Sequence, residues 1–289
     1  MNIKKKIFIT GASSELMKKL ILFINKKNFE IFCLSRKNSE RTENGISLVK
    51  GDIQNSHLFK EELKSCDIII HAAAITHSSD KERYFDINLE ATKELVDIAV
   101  EFKIKKFIFI SSRAAGLKSG SYGKSKILAE EYIKQTLNNW LIFRPSEIFG
   151  GSKNEGIQKL FSDIKTKKNI ICPLSTPKLF PVFIDDTTQI IYDFSFNKKI
   201  INKIITVNGK EGYTYKELVK LTTKIFQKKN RIIPIPKFII LFMQIILETF
   251  HLNIGIAPDQ ISRLYGKKGT ENLSYNLIGV EDYLRNFGK

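Results

Sequence analysis

From Ile7 to Arg144 the chain alternates short, β-rich apolar runs with helix-periodic segments, joined by short connections. Strands and helices that take turns in this way imply a parallel sheet covered on both faces. The strands read as Ile7 to Thr10, Glu30 to Leu34, Ile46 to Val49, Asp67 to His71, Phe107 to Ile110 and Trp140 to Arg144. Helices are expected over Leu16 to Phe23, Ala91 to Phe102 and Ser125 to Leu137. Open α/β sheets bind ligands beyond the carboxyl ends of their strands, so chemistry is sought there first.

One strand end stands out. Lys106 to Ser112, KFIFISS, reads as a buried strand delivering two hydroxyls to its carboxyl end. Behind it, SRAAGLKSGSYGKSK sets Tyr122 and Lys126 four residues apart. On a helix these share a face, and the ammonium is expected beside the phenol, where it would stabilise the phenolate. An unperturbed tyrosine titrates near ~10 and a useful acid or base near ~7, a gap of roughly 4 kcal/mol. A cation about 4 Å away at an effective dielectric of ~20 supplies energy of that order. Y-x-x-x-K alone is a weak signal; the hydroxyl-bearing strand in front of it gives it meaning.

Composition limits the alternatives. The 289 residues suffice for one large or two modest domains, and 43% apolar with 27% charged residues is ordinary for a soluble globular protein. A net charge of +17 invites a nucleic-acid or anionic-membrane reading. The lysines are spread along the chain, without an Arg-rich tract or an aromatic-interleaved basic stripe, so no nucleic-acid partner is expected. Anionic, phosphate-bearing substrates would still be attracted. Cys33, Cys66 and Cys172 suggest neither a disulfide framework nor a zinc site, which favours a cytoplasmic location. His57, His71, His77 and His251 lack ligand spacing, and no metal is expected. The apolar run before Gly11 is too short for a signal peptide and reads as the first strand. Phe238 to Leu247, FIILFMQIIL, is too short for a membrane span and reads as a buried or interfacial helix, with peripheral membrane contact as the alternative.

After Pro145 the pattern loosens. Val182 to Ile184 and Ile204 to Val207 read as strands around a helix at Thr187 to Phe196, with later helices at Tyr215 to Phe226 and Ile239 to Phe250. This divides the chain into a sheet domain, 1–150 with a returning segment at about 181–207, and a smaller helix-rich lobe from the rest of 151–289. The fold class is therefore α/β, a Rossmann-type doubly wound parallel sheet with a C-terminal lobe closing over its carboxyl edge. A cleft between the lobes is a natural ligand site.

The motifs, taken in order, resemble the extended short-chain dehydrogenase/reductase family, which includes nucleotide-sugar epimerases, dehydratases and reductases. Thr10-Gly11-Ala12 resembles the start of its T-G-x-x-G-x-x-G turn, and Gly51-Asp52-Ile53 its adenine-contacting acidic motif. His71 to Ala74, Asn88, the trio Ser112, Tyr122 and Lys126, and Arg144-Pro145 followed by Ile148-Phe149-Gly150 are similar to later landmarks. So are Phe183 to Asp186 and Tyr213 to Val219. The resemblance covers nearly the whole chain and implies catalysis by Ser112, Tyr122 and Lys126. It implies a dinucleotide held by Gly11, Ser13, Ser14, Glu15, Leu16, Arg36, Asp52, Ile53, Ala72, Ala73, Ala74 and Pro145, with Tyr122 and Lys126. Thr76, Ser112, Arg113, Glu147 and Arg263 are the implied contacts to a nucleotide sugar, and helices flanking Tyr122 the implied surface of a homodimer.

Departures from the pattern matter as much. Ser14 and Met17 stand where the turn has its second and third glycines. Ser14 could bond a phosphate, whereas Met17 must push the helix outward or turn away, weakening cofactor binding. Ser35 replaces the acidic residue of NAD-preferring members and Arg36 follows, which favours NADP over NAD. Arg113 and Ala114 after Ser112 disfavour 4,6-dehydration, since such enzymes carry an acidic pair there. Leu179 stands in place of an arginine, leaving Arg263, Lys267 and Lys268 as cations for a diphosphate, with an idle surface charge the alternative for each. The expected reaction is hydride transfer at a sugar carbon, as an epimerase or a ketoreductase/dehydrogenase. A non-catalytic relative that binds a dinucleotide for structure or sensing is the alternative.

Overall fold

The computed structural model describes residues 4–25, 29–37, 46–78, 80–249, 258–266 and 273–286. The apolar runs form a parallel sheet of β1 (Lys6–Thr10), β2 (Glu30–Ser35), β3 (Ile46–Lys50), β4 (Ile68–His71), β5 (Lys106–Ile110) and β6 (Trp140–Pro145), completed by β10 (Lys203–Val207). Its order is β10-β6-β5-β4-β1-β2-β3, so the chain reverses direction across the sheet between β1 and β4. That reversal opens a crevice beyond the strand ends.

Alternation along each strand feeds two cores. Ile7 and Ile9, Ile68 and Ile70, and Ile108 and Ile110 enter one, while Phe8, Ile69, Phe107 and Phe109 enter the other. Helices α1 (Glu15–Asn25) and α7 (Ile184–Phe196) pack together on the first side; α2 (Lys60–Lys64), α4 (Ala91–Glu101) and α5 (Gly120–Thr136) cover the second. Lys106, nearly buried, donates to the carbonyl of Ser195 in the last turn of α7 at 2.9 Å and to that of Ile200 beyond the helix at 3.1 Å. A four-residue helix, α3 (Glu82–Phe85), continues through a π-helical turn at Asp86–Glu90 into α4.

A third core gathers β7 (Ile148–Phe149), α6 (Gly156–Thr166), β8 (Asn169–Pro173), β9 (Val182–Phe183), α8 (Tyr215–Ile225) and α11 (Val280–Asn286). β7 pairs with β9, and β8 with β11 (Arg231–Ile235). Helices α9 (Lys237–Thr249) and α10 (Pro258–Tyr265) pack on each other, and α10 reaches α5.

Two expectations shift. Ile184 opens α7 instead of ending a strand. α5 begins at Gly120, five residues before the expected start at Ser125, so Tyr122 is helical. The reason lies in another part of the chain: Asp259 of α10 accepts the Tyr122 N–H at 3.0 Å, capping a helix whose own Ser119 makes no side-chain cap. Lys267, Lys268 and His251 lie outside the described residues.

Candidate active site

The turn after β1 starts the site. Gly11 has φ +71°, and a Cβ there would lie 2.6 Å from the carbonyl carbon of Ala72 and the nitrogen of Ala73, so the two strand-end loops touch through glycine. Thr10 ties them further, its Oγ1 accepting from the Ala72 and Ala73 amides at 3.2 and 3.1 Å. Its hydroxyl also meets His71 Nδ1 at 2.6 Å, and His71 Nε2 meets Thr92 Oγ1 at 2.9 Å. The Thr92 hydroxyl donates to the Asn88 carbonyl at 2.9 Å, so it accepts from Nε2. His71 is therefore a neutral ring protonated on Nε2, consistent with burial, helped by the Lys126 charge, that pushes its pKa down to about 3.

The first turn of α1 departs from the glycine pattern in two ways. Ser14 Oγ accepts the Met17 amide at 3.3 Å, acting as an N-cap. Met17 turns away from the cleft and is fully buried with Ile7, Ile9 and Leu20, so the missing third glycine is absorbed by the core. Glu15 reaches across to the segment after β7, accepting the amides of Ser152 at 2.7 Å and Lys153 at 3.2 Å. Burial pushes its carboxyl up, but these amides and the Ser152 hydroxyl outweigh it and hold the group below its ordinary value.

Asn88 joins the loop after β4 to α5. Its Oδ1 accepts the Ile75 amide at 2.9 Å, and its Nδ2 donates to the Ile75 carbonyl at 3.1 Å and to Ser125 Oγ at 3.3 Å. The π-helical turn that carries it supplies the extra residue that aims it inward.

Ser112, Tyr122 and Lys126 come together. Ser112 Oγ accepts the Ala114 amide at 3.1 Å and its hydroxyl works to lower the pKa of the Tyr122 phenol, while a Cβ on Gly123 would lie 2.4 Å from the Ala114 carbonyl, so the serine loop presses against the tyrosine helix. Lys126 is buried, its Nζ donating to the Ile110 carbonyl at 2.9 Å and lying 4.2 Å from the centre of the Phe109 ring. Burial lowers its pKa to about 7, opposed by the nearby Glu130 carboxylate. Glu130 is fully buried, takes the Ser111 hydroxyl at 2.5 Å and a two-pronged bond from Arg144, Nε to Oε1 at 2.9 Å.

The expectation that Lys126 acidifies the phenol is not met in this arrangement. Burial holds the Tyr122 phenol above its ordinary value, and the cation that opposes this is Arg263, whose guanidinium lies 4.6 Å from the ring centre. Arg263 also donates to the Thr76 carbonyl at 2.8 Å and pairs with Asp259 at 3.0 Å. Arg113 and Glu147, expected at the substrate, instead face each other at 3.6 Å; Arg113 is buried, stacked 4.8 Å from the Phe180 ring, and donates to the Lys178 carbonyl. Neither lines the cleft.

One cleft of about 1130 Å³ unites the remaining expected residues except Arg263, which lies over the Tyr122 ring but is not among the lining residues. Its walls include Gly11, Ser13, Ser14, Glu15 and Leu16, then Arg36, Asp52 and Ile53, then Ala72 to Ala74 and Thr76, and finally Ser112, Tyr122, Lys126 and Pro145. Asp52 Oδ1 accepts the Gln54 amide at 3.1 Å, and Arg36 is exposed at the end of β2. The residues present fit a dinucleotide. Unpaired amides at the start of α1 suit a pyrophosphate, the Gly11 turn permits close approach, and the far end meets the phenol and the ammonium.

A doubly wound sheet with this turn and this trio defines a dinucleotide-binding α/β protein. Residues 7–174 match the model of the NAD dependent epimerase/dehydratase family, and the chain belongs to that family. It is 24% identical to the UDP-glucose 4-epimerase of Vibrio cholerae, over 80% of this chain and 79% of that protein. It is 18% identical to the mitochondrial NADH-ubiquinone oxidoreductase 40 kDa subunit of Neurospora crassa, over 68% of this chain but spanning about half, 51%, of that protein. The enzyme WbmG of Bordetella bronchiseptica, solved in complex with NAD, shares the fold with a TM-score of 0.70 and 17% identity, covering 81% of this chain and 82% of that one.

Proposed function

We propose that this chain is an NAD(P)-dependent enzyme acting by hydride transfer at a carbon of a nucleotide sugar, as an epimerase or a ketoreductase/dehydrogenase. The single observation that carries the reading is the continuous cleft from the Gly11 turn to Ser112, Tyr122 and Lys126. It is supported by likeness to a UDP-glucose 4-epimerase and to a WbmG structure holding NAD and UDP. When bound, the nicotinamide ring supplies and accepts the hydride. Tyr122 gives or takes the proton at the reacting oxygen, and Ser112 holds that oxygen by a hydrogen bond. Lys126, charged below about pH 7 in this environment and lining the cleft, holds the dinucleotide. Arg263, whose guanidinium lies over the Tyr122 ring, meets the negative charge of the substrate. Exposed Arg36 followed by Lys37 leans the choice toward NADP.

The test is direct titration with NADPH and NADH, followed by nicotinamide fluorescence, then a panel of UDP-, GDP- and dTDP-sugars with wild type and Tyr122→Phe. Tyr122→Phe should keep dinucleotide affinity and lose roughly 100-fold or more in turnover. Failure to bind either dinucleotide, or unchanged turnover in the variant, refutes the reading. The raised phenol beneath Arg263 favours one second reading, a dinucleotide-binding relative without turnover. Tight dinucleotide binding with no reaction across the panel would select it.

A further inference from the structure

Helix α9 is apolar on every side from Phe238 to Leu247 except at Gln244. One side packs inward: Ile240 and Leu247 are buried, and Gln244 Nε2 donates to Ser262 Oγ of α10 at 2.8 Å. The other side faces solvent, with Phe238 72%, Phe242 62% and Ile245 61% exposed, a spacing that draws one stripe along a helix. Ile239, Leu241 and Met243, each more than a third exposed, widen the stripe. A water-facing helix places polar residues on its outer stripe, and a monomer seldom leaves so continuous an apolar patch open.

The chain leading into this helix is basic. Lys228, Lys229, Arg231 and Lys237 stand in a stretch that holds no acidic residue from Gln227 to Leu247. Asn230 Nδ2 donates to the carbonyls of Ile164 at 3.0 Å and Lys167 at 2.7 Å, which brings Lys165 and Lys168 alongside. The nearby carboxylate of Asp163 is taken up by Lys159 and Lys167. Among the described residues no helix is long and apolar enough to cross a membrane.

We propose that the exposed face of α9 docks on an anionic membrane surface. Phe238, Phe242 and Ile245 enter the boundary between headgroups and acyl chains while the lysines and arginine that lead into the helix meet the headgroups. Charge selects this occupant: a second copy would bring the same acid-free basic segment, on a chain of net charge +17, against itself. Because α9 packs on α10, which carries Asp259 and Arg263, docking holds the Tyr122 end of the cleft close to the bilayer.

Sedimentation of the full chain with phosphatidylcholine vesicles, with and without roughly 25% phosphatidylglycerol, tests this. Wild type should pellet with the anionic vesicles, less so as salt rises. The triple variant Phe238→Ser, Phe242→Ser, Ile245→Ser, its fold checked by circular dichroism, should pellet roughly tenfold less. Should that variant misfold, Lys228→Glu with Lys229→Glu and Arg231→Glu supplies the reading by the same loss. Wild type left in the supernatant, binding undiminished in the variants, or a solution dimer that the serine variant dissociates would each overturn the proposal.

Discussion

Replacing Lys126 with methionine should make the protein more stable at pH 6 and no more stable at high pH. The ammonium is buried and its pKa falls from 10.5 to about 7. A fall of about 3.5 pH units, at about 1.4 kcal/mol each, sets a ceiling near 5 kcal/mol on what the folded state loses by burying the charge. The sign follows from proton binding. Below about pH 7 the lysine is charged in both states and the folded state bears the full penalty. Between about 7 and 10.5 the folded state has released its proton while the unfolded chain keeps it, so wild-type stability rises with pH. Methionine fills a similar volume but leaves the Ile110 carbonyl without its donor, a loss of about 1–2 kcal/mol. The net gain at pH 6 is then roughly 3 kcal/mol, and at pH 9 it should shrink by about 3 kcal/mol, to near zero. Urea unfolding of both proteins at the two pH values measures it. An equal difference at pH 6 and pH 9 would refute the claim that a buried charge at this position opposes folding.

Two further outcomes follow from neighbouring groups. Glu130→Gln leaves the Arg144 guanidinium and the Lys126 ammonium without their buried carboxylate, and should lower stability by about 3–5 kcal/mol in urea unfolding; a loss under about 1 kcal/mol would contradict that pairing. Arg263→Ala removes the cation over the Tyr122 ring, so the alkaline limb of any turnover should move to higher pH while dinucleotide affinity stays unchanged; an unmoved pH profile would show that the guanidinium does not act on the phenol.

How much of this was readable before the fold was known depends on where each partner sits in the chain. The sheet was legible because its strands are short, apolar on both faces and separated by helix-periodic segments, a pattern set by local sequence. The cleft walls were legible for the same reason: in a doubly wound sheet the loops after β1, β2, β4 and β5 converge at one edge, so chain order alone assigns them to one site. Charges brought in from afar were not legible. The helix carrying Tyr122 starts early because Asp259 of α10, 137 residues away, caps it, and Arg263 of α10 lies over the phenol ring. Spacing placed Lys126 on the right face but gave no sign that the Ile110 carbonyl would hold its ammonium. Arg113 had an acidic partner in Glu147, which no local pattern announces. The altered turn was the opposite case: a methionine read as an obstacle became core, because the α1 face it occupies points at Ile7 and Ile9 and away from the cleft. The acidity of Tyr122 is therefore set by which cations the fold brings to it from elsewhere in the chain. On that argument α10, through Arg263, has as much hold over the phenol as the lysine one turn further along its own helix.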